Sequence, residues 1–347
     1  MFKFLTRTRH PGRLDITDIL ARLWLVVGTL MIAIPIAWAV LSSFKPEEEI
    51  NAFPPSLLPM AAKNIQIEGQ KEPLPAYTYT NEQGQKETVG LRRRIGLYGT
   101  VIEPAHPEKS IKVPVASLAK QQGLHFEWSN YTDPLAKFSF LTYLKNTVFV
   151  TVVATILTLL LNSMAAFALS KYKFRGSNTI FVLILSTLML PLSVIMVPAF
   201  MVVVGLNMAD SLWGVIFSTV ATPTGVFLLR QYMLTIPDDL IEAARIDAAS
   251  EFRIFWKIVL PLSAPALAVL GIFSVIWRWN DFMWPLIILS SPEKYTLQLG
   301  LNAFQGEFTV QWNYILAMTV VSLLPVTVCF LFLQKYITEG VASSGVK

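Results

Sequence analysis

Residues 235–261 read TIPDDLIEAARIDAASEFRIFWKIVLP, a charged stretch set between two long apolar runs. Thr235 can cap a helix, Pro237 suits its first turn, and Asp238 falls three residues after the cap. Ile241, Ala244, Ala248, Phe252, Phe255 and Val259 recur at helical spacing on one face. Glu242, Arg245, Arg253 and Lys257 lie largely on the other. Charges at this density cannot enter hydrocarbon, where each would cost several kcal/mol. The expectation is an amphipathic helix on the membrane surface, one face ready for a partner.

The rest of the chain makes that membrane a necessity. Of 347 residues, 54% are hydrophobic and only 15% charged, against roughly 25% charged in a soluble domain. Mean hydropathy is +0.53, so the chain reads as polytopic. Its net charge of +5 comes from basic residues at the ends of apolar runs, which membrane orientation requires and which implies no nucleic acid. A single cysteine, Cys329, excludes a disulfide framework, and His10, His106 and His125 are too far apart for ligand spacing.

Residues 1–22 form a basic tail carrying Lys3, Arg7, Arg9 and Arg13, and residues 23–44 are an uncharged run long enough to cross about 30 Å of hydrocarbon. Ala37-Trp38-Ala39 resembles a signal cleavage site, but the run exceeds the 7–15 residues of a signal core. A retained first helix is expected. Residues 45–137 differ in kind. Nine prolines between Pro46 and Pro114 break any long helix, and residues 77–80, 95–102 and 111–115 are strand-like, with a turn at 81–84. A small β-rich module is expected there, and Arg92-Arg93-Arg94 reads as a solvated basic run.

Five further spans are expected near residues 140–170, 177–206, 212–229, 258–289 and 314–333, which make residues 138–334 a five-helix core followed by a tail at 335–347. Lys171, Lys173 and Arg175 follow the second span; Arg230, Arg245, Arg253 and Lys257 follow the fourth. The short loops on the other side hold only Lys294, and the long 45–137 module escapes the rule because of its length. This asymmetry places both termini and the 235–257 segment in the cytoplasm and the β-rich module outside. Pro191, Pro198 and Pro223 could kink their spans, and Met189, Met196, Met201 and Met208 read as packing rather than a metal path.

No phosphate loop and no hydrolase signature occurs, so a partner must supply any energy used. Glu242-Ala243-Ala244, then Asp247 and Ile258-Val259-Leu260-Pro261, closely resembles the EAA signature of ATP-binding-cassette importer permeases. Residues 166–176 (AFALSKYKFRG), Trp279-Asn280-Asp281-Phe282 and the closing residues 340–347 extend the likeness. Together they resemble the MalG-type subunit of the carbohydrate-uptake branch. That resemblance implies an all-α, six-helix type I importer fold with a β-rich external insertion in a bacterial cytoplasmic membrane.

It also implies that Glu242, Ala243, Ala244, Asp247, Ala248 and Ala249 form a coupling helix docked on an ATPase. Ala243 and Ala244 allow close approach, while Glu242 and Asp247 can pair with basic groups. The implied partners are a homologous second permease, a homodimer of ATPase subunits that binds ATP and magnesium, an external sugar-binding protein and membrane lipid. No cofactor belongs to this chain itself, and it would not be an enzyme. The tail ending Gly345-Val346-Lys347 would reach toward the ATPase. Ala248 stands where the family has glycine, which makes a bend there harder.

Arg278 and Asp281, three residues apart, can pair on one helical face among Trp277, Trp279 and Trp284. One reading assigns Trp279, Asn280 and Asp281 to a translocation pathway; the other is an interfacial ion pair in a tryptophan belt. Two other functions are weighed against an ATP-driven importer. An ion-driven transporter would need more intramembrane charges than Lys145, Arg278 and Asp281 and usually an internal repeat. A membrane scaffold or receptor would act through its external module.

Overall fold

The computed structural model describes residues 16–344 except 54, 69, 71, 81–84, 138 and 307–309. The turn at 81–84 and the tail residues Gly345, Val346 and Lys347 therefore lie outside the described residues. The chain divides into two units, residues 1–133 with 310–320, and residues 134–309 with 321–347.

The first unit begins with α1 (Ile16–Ser42), a helix of 27 residues, about 40 Å long at 1.5 Å per residue. From Leu23 onward it carries no charge, and only 6% of its most apolar window is buried by the rest of the chain, as suits a helix that lipid or another chain covers. A short turn, α2 (Glu47–Ile50), leads into the β-rich module. Strands β2 (Asn64–Ile65), β3 (Leu74–Thr80), β4 (Lys86–Ile95), β5 (Tyr98–Glu103) and β6 (His106–Pro114) form an antiparallel meander, and β7 (Leu118–Lys120) pairs with β3. Val89, Val101 and Val113 stack across it beneath Tyr77, Leu91 and Ile111. Strand β1 (Met60–Ala62) pairs with β8 (Gln122–Leu124). The expected β-rich insertion is thus present.

The strand-like run at 95–102 contains a turn as well. Ile95 pairs with Tyr98, leaving Gly96 and Leu97 as a two-residue hairpin loop, and Gly96 has φ +61°, a conformation open to glycine without penalty. Arg92, Arg93 and Arg94 lie exposed beside a bulge in β4. Polar contacts tie a following helix to the end of α1 and two of the strands to α2. Asn130, on α3 (Ser129–Lys137), donates to the Ser43 and Lys45 carbonyls at 2.9 and 2.8 Å, and the buried Glu49 accepts from Lys120 and Gln122.

The second unit is built on α4 (Phe140–Lys171), 32 residues long. Around it lie α5 (Ser177–Ser186), α6 (Leu192–Gly205), α7 (Leu212–Thr219), α8 (Pro223–Met233), α9 (Asp238–Ile246), α10 (Glu251–Leu262), α11 (Ala264–Trp279), α12 (Met283–Ile288) and α13 (Leu297–Leu301). The last helix, α14 (Trp312–Ser344), passes from the first unit into the second.

The unbroken spans expected from the hydropathy are only partly found. Among the described residues α1 and α4 are long and apolar enough to cross a membrane alone. The pairs α5–α6, α7–α8 and α10–α11 are bent by 111°, 45° and 77°. Pro191 precedes α6, Pro223 opens α8, and α11 also has proline in its first turn. Proline lacks an N–H and forces the residue before it into an extended conformation, as at Leu190 and Thr222, so the first two runs are interrupted where the ring falls. The third bends at Ser263, just ahead of a proline already inside the first turn of α11. Pro198, by contrast, sits inside α6 without a break.

A broken helix inside hydrocarbon must still satisfy its backbone, and α4 does so for the α7–α8 break. Thr158 Oγ1 donates to the Val220 carbonyl at 2.9 Å, and Asn162 exchanges hydrogen bonds with the Thr222 side chain and backbone. Gly225 sits so close that an added Cβ would lie 2.3 Å from Asn162 Nδ2. At one end of this unit Asp210, in the α6–α7 connection, accepts from the Ser290 and Ser291 amides and from Lys294 at 2.7 Å. The connections expected on one side of the membrane are therefore joined directly.

Candidate functional site

The 235–261 stretch is two helices rather than one. Thr235 does not cap the first of them: its hydroxyl donates to the Tyr232 carbonyl at 2.7 Å, at the end of α8, and Pro237 occupies the position before α9. Asp238 and Asp239 stand in the first turn of α9, where the helix dipole favours negative charge. Lys171, at the end of α4, donates to the Asp238 carboxylate at 2.7 Å and to the Ile236 carbonyl at 2.6 Å. This ammonium holds the Asp238 carboxyl below its ordinary value.

Helix α9 ends in a Schellman turn. The Ala248 amide donates to the Arg245 carbonyl and the Ala249 amide to the Ala244 carbonyl, both at 3.0 Å. Ala248 takes the left-handed position with φ +55°, so the bend that alanine was expected to hinder is made nonetheless. An L-residue there costs about 1 kcal/mol more than glycine. Ser250 then caps α10 by accepting from the Arg253 amide.

Glu251, the first residue of α10, joins both halves. It accepts two hydrogen bonds from Arg245 on α9, at 2.7 and 3.2 Å, and one from the Tyr172 hydroxyl at 2.6 Å. These donors hold the Glu251 carboxyl low, Arg245 first and Tyr172 next. Burial and the neighbouring carboxylate push the Tyr172 phenol up to about 12.

The turn also resets the helical register. Ile241, Ile254, Phe255 and Val259 are buried with Phe167, Leu229 and Met233 in one core, while Ala244 and Ala249 pack at its edge. Ala248 and Phe252, expected on the same face, are exposed. A π-turn over Phe255–Val259 carries the inward side on to Val259. Glu242, Ala243, Asp247 and Ala248 point to solvent. Glu242 and Asp247 make no ion pair or side-chain hydrogen bond among the described residues. Apolar Ile246 and Phe252 stand beside them, 85% and 67% exposed. A groove of about 450 Å³ between Phe174, Tyr172, Met164 and Phe252 adjoins the second half. The surface offers two unpaired carboxylates and an apolar rim on a base packed into the core.

The other sequence candidates are dispersed. Arg278 and Asp281 do not pair. Helix α11 ends at Trp279, and Asp281 turns forward to accept from the Trp284 amide at 3.2 Å. Arg278 turns inward, 7% exposed, and donates to Ser274 Oγ, Thr158 Oγ1 and the Thr219 carbonyl at 2.6, 2.7 and 2.6 Å. Trp279 is buried and its indole donates to the Ser322 carbonyl, whereas Asn280 is exposed and Asp281 partly so. Met196 is buried in the core and Met208 packs against it, while Met189 and Met201 are exposed. No group of three metal-ligating side chains occurs among the described residues.

Sequence reasoning missed Tyr172 and Glu251 as a joint between elements, and Thr155, Thr158 and Asn162 as the polar face of α4. The last three had a signal, polar residues three and four apart within an apolar span.

Residues 158–343 match the family of binding-protein-dependent transport system inner membrane components. The chain belongs to that family. It is 37% identical over 206 residues to the arabinooligosaccharides transport system permease protein AraQ of Halalkalibacterium halodurans, covering 59% of this chain and 74% of that one. It is 38% identical over 113 residues to the sn-glycerol-3-phosphate transport system permease protein UgpE of Yersinia pestis, 32% of this chain and 40% of that one. A crystal structure of a bacterial ABC transporter that imports the acidic polysaccharide alginate shares the fold, with TM-score 0.64 and 22% identity, covering 94% of this chain and 99% of that one. The chain is thus an inner-membrane permease component of an ABC importer and not an enzyme.

Proposed function

We propose that this chain is one of two permease subunits of an ATP-driven sugar importer, coupled through α9 and the turn at Ala248 to a separate pair of ATPase subunits. The observation that carries this reading is the surface of the 238–256 segment. Its inner face is locked into the α4–α8–α11 core, while Glu242 and Asp247 are left unpaired beside exposed Ile246 and Phe252. A packed base with unpaired charge and exposed apolar groups is what a mechanical contact needs.

In this reading α1, α4, the three bent pairs and α14 make six crossings, with both termini and α9 in the cytoplasm. The ion pair between Lys171 and Asp238 at one end and that between Lys294 and Asp210 at the other support the assignment of loops to sides. ATP-driven closure of the ATPase pair moves α9, and the bundle shifts from inward-open to outward-open because the two states differ in contacts there. Asn280 and Asp281 line the pathway at the α11–α12 break, with Trp279 framing it. The relatives' substrates point to an oligosaccharide or a related polyol derivative, delivered by an external binding protein. The β-rich module helps to dock that protein, and a cross-linker at the exposed Tyr98 tests the contact.

The decisive test is Glu242→Lys or Ala244→Trp in the assembled transporter. Transport and ATPase association should be lost while membrane insertion is unchanged. Normal uptake by either variant would overturn the coupling role.

A further inference from the structure

We propose that Arg245, Glu251 and Tyr172 form a clamp that selects the bent form of the 238–262 segment over a continuous helix, making Arg245 and Glu251 positioning residues of the coupling segment. The inference rests on the coupling role only for its functional consequence; the structural part stands by itself.

The competing state is easily drawn. Ala248 and Ala249 are good helix formers, and Ala248 is in the left-handed region at φ +55°, a conformation natural to glycine and unfavourable to alanine. Local preference at these two residues favours running α9 straight into α10. Burial of Ile241 on one side of the turn and Ile254 and Phe255 on the other in a single core opposes that preference, and the Arg245–Glu251 pair adds to this opposition with the required selectivity. On one continuous helix, residues six apart are about 120° apart around the axis and about 9 Å apart along it, which precludes a two-pronged ion pair. In the bent form Arg245 grips both carboxylate oxygens of Glu251, at 2.7 and 3.2 Å. The contact therefore exists in one state and not in the other, which is the condition for shifting a population.

Two further contacts set the direction of the bend. Tyr172, from the end of α4, donates to the same Glu251 carboxylate at 2.6 Å, tying the start of α10 to the long central helix. Lys171, its neighbour, holds the start of α9 through Asp238 and the Ile236 carbonyl. Lys171, the last residue of α4, and Tyr172, the residue after it, thus anchor both halves, with the turn at Ala248 between the anchors. Ser250 adds a cap that only a new helix start can use. Partial exposure of Arg245 and Glu251, 40% and 44%, limits the pair to a shift of about fivefold in the bent-to-straight ratio. That is comparable to what Ala248 loses by being alanine, so Ala248→Gly should offset loss of the pair.

The test measures the bend directly. Spin labels replace Leu240 and Trp256, both exposed, in a Cys329→Ser background of the full chain. A continuous helix would separate their backbones by about 24 Å, and a bend shortens that distance. Glu251→Gln should add a long-distance population with membrane insertion unchanged, and Glu251→Gln with Ala248→Gly should remove it. In proteoliposomes with the partner subunits, substrate moved per ATP hydrolysed should fall several-fold in Glu251→Gln and recover in the double variant. An unchanged distance distribution in Glu251→Gln, or no rescue by Ala248→Gly, overturns the clamp. A distance shift and rescue with no change in coupling in any variant leaves the clamp standing and overturns the coupling role instead.

Discussion

Replacing Arg278 by methionine tests how the interior of the bundle is held together. The guanidinium lies among Ser274, Thr158 and the Thr219 carbonyl with three contacts of 2.6–2.7 Å, and no carboxylate lies within ion-pair distance among the described residues. Charged hydrogen bonds contribute about 1.5–3 kcal/mol each, which makes the gross loss about 5–9 kcal/mol. Against this stands relief of a buried charge without a counter-ion, worth several kcal/mol. What is not recovered is the Thr219 carbonyl, left unpaired beside the α7–α8 break at a cost of about 1–3 kcal/mol. Thr158 keeps its bond to the Val220 carbonyl, so its hydroxyl is not orphaned. The net expectation is destabilisation by about 1–3 kcal/mol, read as a lower thermal unfolding midpoint of the purified chain in detergent by about 2 °C or more. Arg278→Lys should fare no better, because a point charge cannot make the forked contacts that span Ser274 and Thr219. A midpoint within about 1 °C of the parent for Arg278→Met would refute the idea that this side chain secures the break.

Gly225→Ala should destabilise by about 2 kcal/mol, since its Cβ would lie 2.3 Å from Asn162 Nδ2 and 2.5 Å from Thr222 Oγ1; chemical or thermal unfolding reads the loss. The Asp210 carboxyl is held well below its ordinary value by Lys294 and by donors at Ser290 and Ser291. A depressed folded value contributes stability above the unfolded value of 3.8 and loses it as pH falls toward the folded one. Unfolding midpoints between pH 7 and about 2.5 should therefore fall less steeply in Asp210→Asn than in the parent. Tyr172 has the opposite sign. With its phenol pushed up to about 12 from 10, its contribution holds below the unfolded value and fades as pH rises through that interval. Tyr172→Phe should lose that alkaline dependence in the same assay.

Much of the architecture could be read from one chain of letters because hydrophobic periodicity and charge placement are local properties. The apolar runs, the proline-rich β module and the surface position of the 235–261 stretch all follow from neighbours within a turn or two of helix. So did the two carboxylates, Glu242 and Asp247, that the folded chain leaves unpaired at the surface. Where the reading failed, a distant residue had changed a local preference. Two alanines argue for a continuous helix through Ala248, yet Glu251, Arg245 and Tyr172 meet there and the chain bends. Arg278 and Asp281 are correctly spaced to pair on one helix, but α11 ends between them, and Thr158 and Thr219 offer the arginine a better-satisfied site. Sequence determined which segments seek lipid, water or a partner, since transfer free energy belongs to each side chain. Tertiary structure alone decided where the turn at Ala248 opens and which carboxylate holds it, because a hydrogen bond between residues 79 apart, as from Tyr172 to Glu251, exists only once the intervening chain has folded back.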